Sequence, residues 1–217
     1  RGLIPDWPLD HAIAIEHHLT GVAPRLTMSA TVHTERGQAK AAGSLTVAPE
    51  IEADLDVDVN ELDLTALRSD WPQTKLSARS AVEIWQGQDH PNFEVNATIL
   101  PSEAIGTELP PVDFRGTFDE RGLLVDATLH ERGLPLHLDV KGPPKGPIGF
   151  ELELRKTRLE ESPRLTQLVG ARGTVLGTVK GKLDGDHVEA TTSVDGSGIV
   201  YGDVDVDVLR ARGTTDF

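Results

Sequence analysis

The sequence predicts an all-β fold: a long antiparallel meander with one or two short helices, internally repeated. Three observations carry this expectation. Apolar and polar residues alternate strictly over many short stretches, glycine-bearing turns separate those stretches, and a strand–helix–strand order occurs twice.

Alternation with a period of two is the signature of a strand with one buried face. It is clearest from Ile51 to Val59, where Ile51, Ala53, Leu55, Val57 and Val59 point one way and Glu52, Asp54, Asp56 and Asp58 the other. Val204, Val206 and Val208 alternate with Asp203, Asp205 and Asp207. Leu134, Leu136, Leu138 and Val140 form another row, as do Phe150, Leu152 and Leu154. Looser alternation marks Ala12–Glu16, Leu26–Val32, Val82–Trp85, Phe93–Ile99, Val112–Phe118 and Leu123–Leu129. Turn chemistry separates the runs: Glu35-Arg36-Gly37, Asp119-Glu120-Arg121-Gly122, Glu131-Arg132-Gly133, Asp184-Gly185-Asp186 and Asp195-Gly196-Ser197-Gly198.

Two segments depart from this period. Asp63–Asp70 suits about two turns of helix closed by Trp71-Pro72. Ser162–Gly170 is better marked, with Ser162 as N-cap, Pro163 at the first helical position and Gly170 just past the end. Sliding the chain by about 95 residues lays Leu64 on Leu159 and Phe93-Glu94-Val95 on Val188-Glu189-Ala190. Arg-Gly-Thr recurs at Arg115, Arg172 and Arg212. The expected organisation is one elongated repetitive domain over 1–217, with units of about 1–140 and 148–217 around the Lys141–Pro147 stretch. Pro110-Pro111 is a second interruption. The chain reads as a segment of a longer protein, opening on Arg1 and ending in a strand-like Gly213–Phe217.

Composition narrows the function. Asp and Glu number 35 against 21 Lys and Arg, a formal charge of −14. Such an excess repels phosphate backbones and anionic headgroups, which argues against nucleic-acid binding and a basic membrane-surface role. The absence of cysteine removes disulfides, iron–sulfur clusters and a thiol nucleophile. No apolar run approaches the roughly 20 residues of a spanning helix.

The Asp-x-Asp-x-Asp runs invite calcium. An EF-hand loop needs Gly at its sixth position and Glu at its twelfth, but from Asp54 those places hold Val59 and Thr65, and from Asp203 Val208 and Thr214. Along a strand the carboxylates stand about 7 Å apart and do not converge. They read as a solvated face that also discourages edge pairing. His11, His17 and His18 are close in sequence, yet adjacent residues of a strand point to opposite faces. His33, His90, His130, His137 and His187 have no recognisable ligand spacing, so no metal is expected. There is no nucleophile elbow, P-loop or dinucleotide fingerprint. Gly196-Ser197-Gly198 reads as a turn without a following helix, and Asn96-Ala97-Thr98 is an isolated sequon. No catalytic residues and no cofactor are expected; the chain reads as a non-enzyme.

The aliphatic rows admit two interpretations: the closed core of a β-sandwich, or an open trough lined by the same side chains. Aromatic residues make up only 4 % of the chain. A large closed core ordinarily recruits more rings, so their scarcity leans toward a groove for aliphatic chains.

Leu62-Asp63-Leu64-Thr65-Ala66-Leu67, then Trp71-Pro72 and the strand Leu76–Ile84, resemble a repeat unit of TamB-like proteins and of the wider AsmA-like superfamily. TamB is the inner-membrane component of the translocation and assembly module. The second copy runs through Leu159–Leu168, Gly173–Gly181 and Val188–Val208 with its Gly196-Ser197-Gly198-Ile199 turn. The resemblance covers the chain from about Leu45 onward. It implies a sheet curled into a taco-like groove with an apolar concave face, in a protein anchored in the bacterial inner membrane and crossing the periplasm. It further implies phospholipid transport between membranes, outer-membrane protein assembly, or both. The implied partners are phospholipid acyl chains or unfolded outer-membrane protein strands, and an Omp85-class outer-membrane barrel. Carried onto this sequence, the lipid-binding groove consists of Leu55, Val57, Val59, Leu134, Leu136, Leu138, Leu152, Leu154, Val204, Val206 and Val208. The competing expectation is a closed β-sandwich module of a stalk or adhesin, without ligand.

Overall fold

The computed structural model describes residues 13–88, 90–185 and 187–216. The chain divides into two compact units, Arg1–Pro111 and Val112–Phe217. Both are built of antiparallel strands that pair in chain order, the arrangement expected of short hairpin connections.

In the first unit β1 (Ala14–Val22), β2 (Arg25–His33), β3 (Gln38–Thr46) and β4 (Glu52–Leu62) lead to a single 3-10 turn, Leu64–Ala66. After it come β5 (Thr74–Trp85) and β6 (Asn92–Ile99). A small hairpin, β7 (Ser102–Ala104) and β8 (Thr107–Leu109), adds to the start of β5. The second unit repeats the scheme with β9 (Val112–Asp119), β10 (Gly122–Leu129), β11 (Leu136–Gly142) and β12 (Ile148–Arg158). A 3-10 turn (Leu159–Glu161) and helix α1 (Pro163–Val169) follow, then β13 (Arg172–Asp184), β14 (His187–Tyr201) and β15 (Val204–Asp216).

The internal repeat is visible in detail. In each unit a helical turn follows the fourth strand, and the ladder into the next strand shifts register at matching places. One shift falls between Val59 and Leu62, the other between Leu154 and Thr157. The Glu-Arg-Gly turns also correspond. A Cβ on Gly37 would meet the backbone of Glu61 and Leu62, and one on Gly133 the backbone of Glu161 and Ser162. Both glycines have positive φ, so only the residue without a side chain fits there.

Several elements differ from expectation for local reasons. Two turns of helix were expected over Asp63–Asp70, and one 3-10 turn forms. The Arg68 guanidinium folds onto Asp70 at 2.6 Å, and Pro72 disfavours helical backbone at Trp71, so the helix stops early. The turn expected at Asp195–Gly198 lies inside β14. Gly196 is buried there because Ile199 and Leu209 approach it closely, and the chain reverses at Gly202 instead, at φ 57°. Of the Lys141–Pro147 stretch, Lys141 and Gly142 end β11 and residues 143–147 form the β11–β12 connection, and the two units meet in sequence at Pro111. The acidic row of β4 belongs to an interior strand paired on both sides. His11 and Ala12 lie outside the described residues, as does Asp186 of the expected turn.

Candidate functional site

Register turns the sequence rows into a surface, because directly paired residues share a face. In the first unit Val57 lies between Ala41 on β3 and Ser80 on β5, with Ala97 beyond on β6. Leu55 is flanked by Gly43 and Val82, then Val95; Val59 by Ala39 and Ala78, then Ile99. The same rows run through Ala30 and Met28 of β2 to His17 and Leu19 of β1. One face of the six strands is therefore apolar across nearly its whole width. The other carries Asp54, Asp56 and Asp58 beside Arg79 and Lys40.

The second unit is organised alike. Leu138 pairs with Leu152, which pairs with Val179; Leu136 pairs with Leu154, and Val140 with Phe150. Beyond β12 the rows become small. Gly177 follows Leu154 and Gly181 follows Phe150, whose ring lies against the Gly181 backbone so closely that a Cβ there would collide with it. The face therefore steps from large aliphatic residues on β11 and β12 to glycines alternating with Val179 on β13.

These faces are half-buried. Leu55, Val57, Val59, Leu136, Leu138, Leu152 and Leu154 are neither sealed nor free, and within each unit no second sheet lies over them among the described residues. A closed sandwich core would bring such side chains close to full burial. Among the described residues, buried apolar side chains cluster where the helical segment closes one end of the second unit: Leu159, Ala171 and Val175, with Leu154, Leu165 and Ile199 against them. Within the first unit, at the strand ends away from its 3-10 turn, Ile51, Ile84, Trp85 and Pro91 line an apolar hollow of about 290 Å³.

The expected groove residues are not all brought together. Leu134 lies outside the strands and is buried in the turn at Glu131. Val204, Val206 and Val208 pair with Tyr201, Ile199 and Ser197 on β14, whereas the row through Leu136 and Leu154 passes via Gly177 and Val194 to Ala211. Val204 and Val208 are 57 % and 61 % exposed. The alternation in β15 was legible, but its register to β14 was not. The face also contains residues that the apolar rows did not flag, notably Ala39, Ala41 and Gly43 of β3. Their signal is the absence of bulk, which an apolar count does not register.

The closed ends are held by polar chemistry. Asp63 is 3 % exposed and accepts from the Thr65 hydroxyl at 2.7 Å, from Arg36 at 3.1 Å, and from the Thr65 and Thr74 amides. Burial alone would raise its pKa. The Thr65 hydroxyl, the Arg36 guanidinium and the two amides outweigh that and bring it to about 2. In the second unit Ser162, fully buried, accepts from the Leu165 amide and caps α1, while Arg164 bonds Glu131 of the neighbouring turn at 3.1 Å.

Set against protein-family models, characterised proteins and solved structures, the chain matches none of them.

Proposed function

We propose that this chain is a lipid-handling segment of the cell envelope, with acyl chains lying along the apolar faces of its sheets. The observation that carries the proposal is the half-buried row Ala41–Val57–Ser80–Ala97 and its neighbours, apolar across strand after strand yet uncovered within its unit. Each methylene drawn out of water onto such a face contributes about 0.8 kcal/mol. The effect is non-directional, so a long face serves without a shaped pocket. The acidic opposite face keeps the sheet solvated. On the TamB-like resemblance of the sequence, this activity would belong to the periplasm, in phospholipid transport between membranes or in assembly of outer-membrane proteins whose apolar strands make similar clients. An Omp85-class barrel would be the partner of the parent protein.

Native mass spectrometry with lipid extraction, on protein purified from a bacterial membrane-containing lysate, tests this. The wild type is expected to carry phospholipid or fatty acid and to bind a fluorescent fatty acid. Val57→Asp and Leu136→Asp, with unchanged circular dichroism, are expected to weaken that binding by tenfold or more. A clean apo mass together with no fatty-acid binding would overturn the proposal in favour of a ligand-free structural module.

A further inference from the structure

We infer that Asp126, His137 and Asp139 form a site for one divalent transition ion of the zinc class, on the polar face of the second unit. The hairpin of β10 and β11 places Asp126 directly opposite Asp139, and Thr128 opposite His137. Like charges directly opposed across a ladder destabilise it unless something positive lies between them. The His137 ring is set there. Its Nε2 is 3.3 Å from Asp126 Oδ2 and 3.2 Å from Asp139 Oδ2, and the three donor atoms lie within 4.8 Å of one another. Two donors each about 2.1 Å from an ion, at angles between octahedral and tetrahedral, stand roughly 3.0–3.4 Å apart, which is the spacing of Nε2 from each carboxylate oxygen.

Thr128 Oγ1 lies 3.1 Å from Nδ1. With Nδ1–H donating to that hydroxyl, the Nε2 lone pair faces the carboxylates, the orientation that outer partners impose on metal-ligating histidines. A bare lone pair there repels both carboxylates; a cation makes the same contacts attractive, as does a proton. The ring is 17 % exposed and the carboxylates 58 % and 59 %, so water completes the coordination. On the flanking strands Arg115 faces Asp126, Glu151 faces Asp139 and is held by Lys180 at 2.8 Å, and Glu153 faces His137. The site lies on the face opposite Leu138 and Val140 and is separate from the proposed lipid surface. One imidazole and two carboxylates suit zinc better than calcium, which prefers an all-oxygen set.

Isothermal titration of zinc chloride into the full chain, after chelator treatment, tests the site. One equivalent is expected to bind in the wild type, with affinity falling as pH is lowered because proton and metal compete. His137→Gln and Asp139→Asn, each checked by circular dichroism, are expected to lose at least tenfold in affinity. His130→Gln, whose ring bonds Asp113 instead, is expected to bind like the wild type. Wild-type affinity in a folded His137→Gln or Asp139→Asn protein, or no stoichiometric uptake by the wild type, would overturn the assignment.

Discussion

The two units solve the same local problem with different chemistry. Each must stop a sheet at one end, turn through a short helical segment and restart it one register step later. The first unit does this with a charge: Asp63 gathers the Thr65 hydroxyl and amide, the Arg36 guanidinium and the Thr74 amide. The second uses a neutral Ser162 cap, a longer helix and a small apolar cluster around Leu159. The backbone course is shared and the side-chain chemistry is not. What repeats is therefore the register shift and the glycine under the turn, while the cap varies with what is packed around it.

The largest effects should come from breaking the shared part. Gly37→Ala and Gly133→Ala each put a Cβ within 3 Å of backbone at a positive-φ position. Each is expected to cost about 2–4 kcal/mol, combining backbone strain with overpacking. Gly106→Ala keeps the positive φ but has nothing within 4 Å of the new Cβ, so it should lose only about 1 kcal/mol. Urea unfolding followed by two probes separates the units. The tryptophans are Trp7, Trp71 and Trp85, all in the first unit, whereas circular dichroism reports both. Gly37→Ala should move the tryptophan transition. Gly133→Ala should move the dichroism transition alone if the units unfold independently, and both if they unfold together. Equal losses for Gly37→Ala and Gly106→Ala would show that the close backbone approach under Gly37 adds nothing, and unequal losses for Gly37→Ala and Gly133→Ala would break the proposed equivalence of the two Glu-Arg-Gly turns.

The caps are the next target, and they should part company with pH. The Asp63 pKa falls from 3.8 to about 2 on folding, so its contribution is complete above about pH 4 and is lost as pH falls through about 2. With Arg36 63 % exposed and its charge screened by water, that contribution is on the order of 1–2 kcal/mol. Asp63→Asn should lower the tryptophan-detected urea midpoint at pH 5 and then change little between pH 4 and pH 2, where the wild type declines. Ser162→Ala should cost about 1 kcal/mol by the same amount at every pH, since no charge is involved. A wild type whose tryptophan transition is flat from pH 4 to 2 would show that the Asp63 network adds nothing to stability.

How far such detail was readable from sequence depends on which interaction set it. β4 was plain because Ala53 to Val59 alternate with acids, and α1 because Ser162, Pro163 and Gly170 each have a local mechanism. β3 was missed: Gln38–Thr46 is rich in Ala, Gly and Lys and offers too little contrast for a period-two pattern. The β7–β8 hairpin was missed because three-residue strands give no period at all. The apolar face was half legible. Alternation said which residues share a side of their own strand, but register between strands is a long-range property. It carried the row from Leu136 to Ala211 rather than to Val204, Val206 and Val208. The Asp126–His137–Asp139 cluster was invisible for the same reason, although His137-Leu138-Asp139 in an alternating strand already put two of its donors on one face.

The smallest expected effect sharpens the contrast between a capped end and an open polar face. Arg36–Asp63 and Arg79–Asp58 are both arginine–aspartate pairs, at 3.1 and 3.4 Å. In the first, the carboxylate side chain is 5 % exposed; in the second, both partners are, at 75 % and 67 %. Water already solvates Asp58, so Arg79→Ala should cost no more than about 0.5 kcal/mol and nothing measurable in high salt. Arg36→Ala leaves the buried carboxylate with its Thr65 and Thr74 donors but no charged one, and should cost about 1 kcal/mol. Comparable losses from both substitutions would mean that the acidic face of β4 is an ordered network contributing to the fold. The expected disparity leaves that face as a solvating surface, free to vary while the glycine turns and buried caps hold the strands in register.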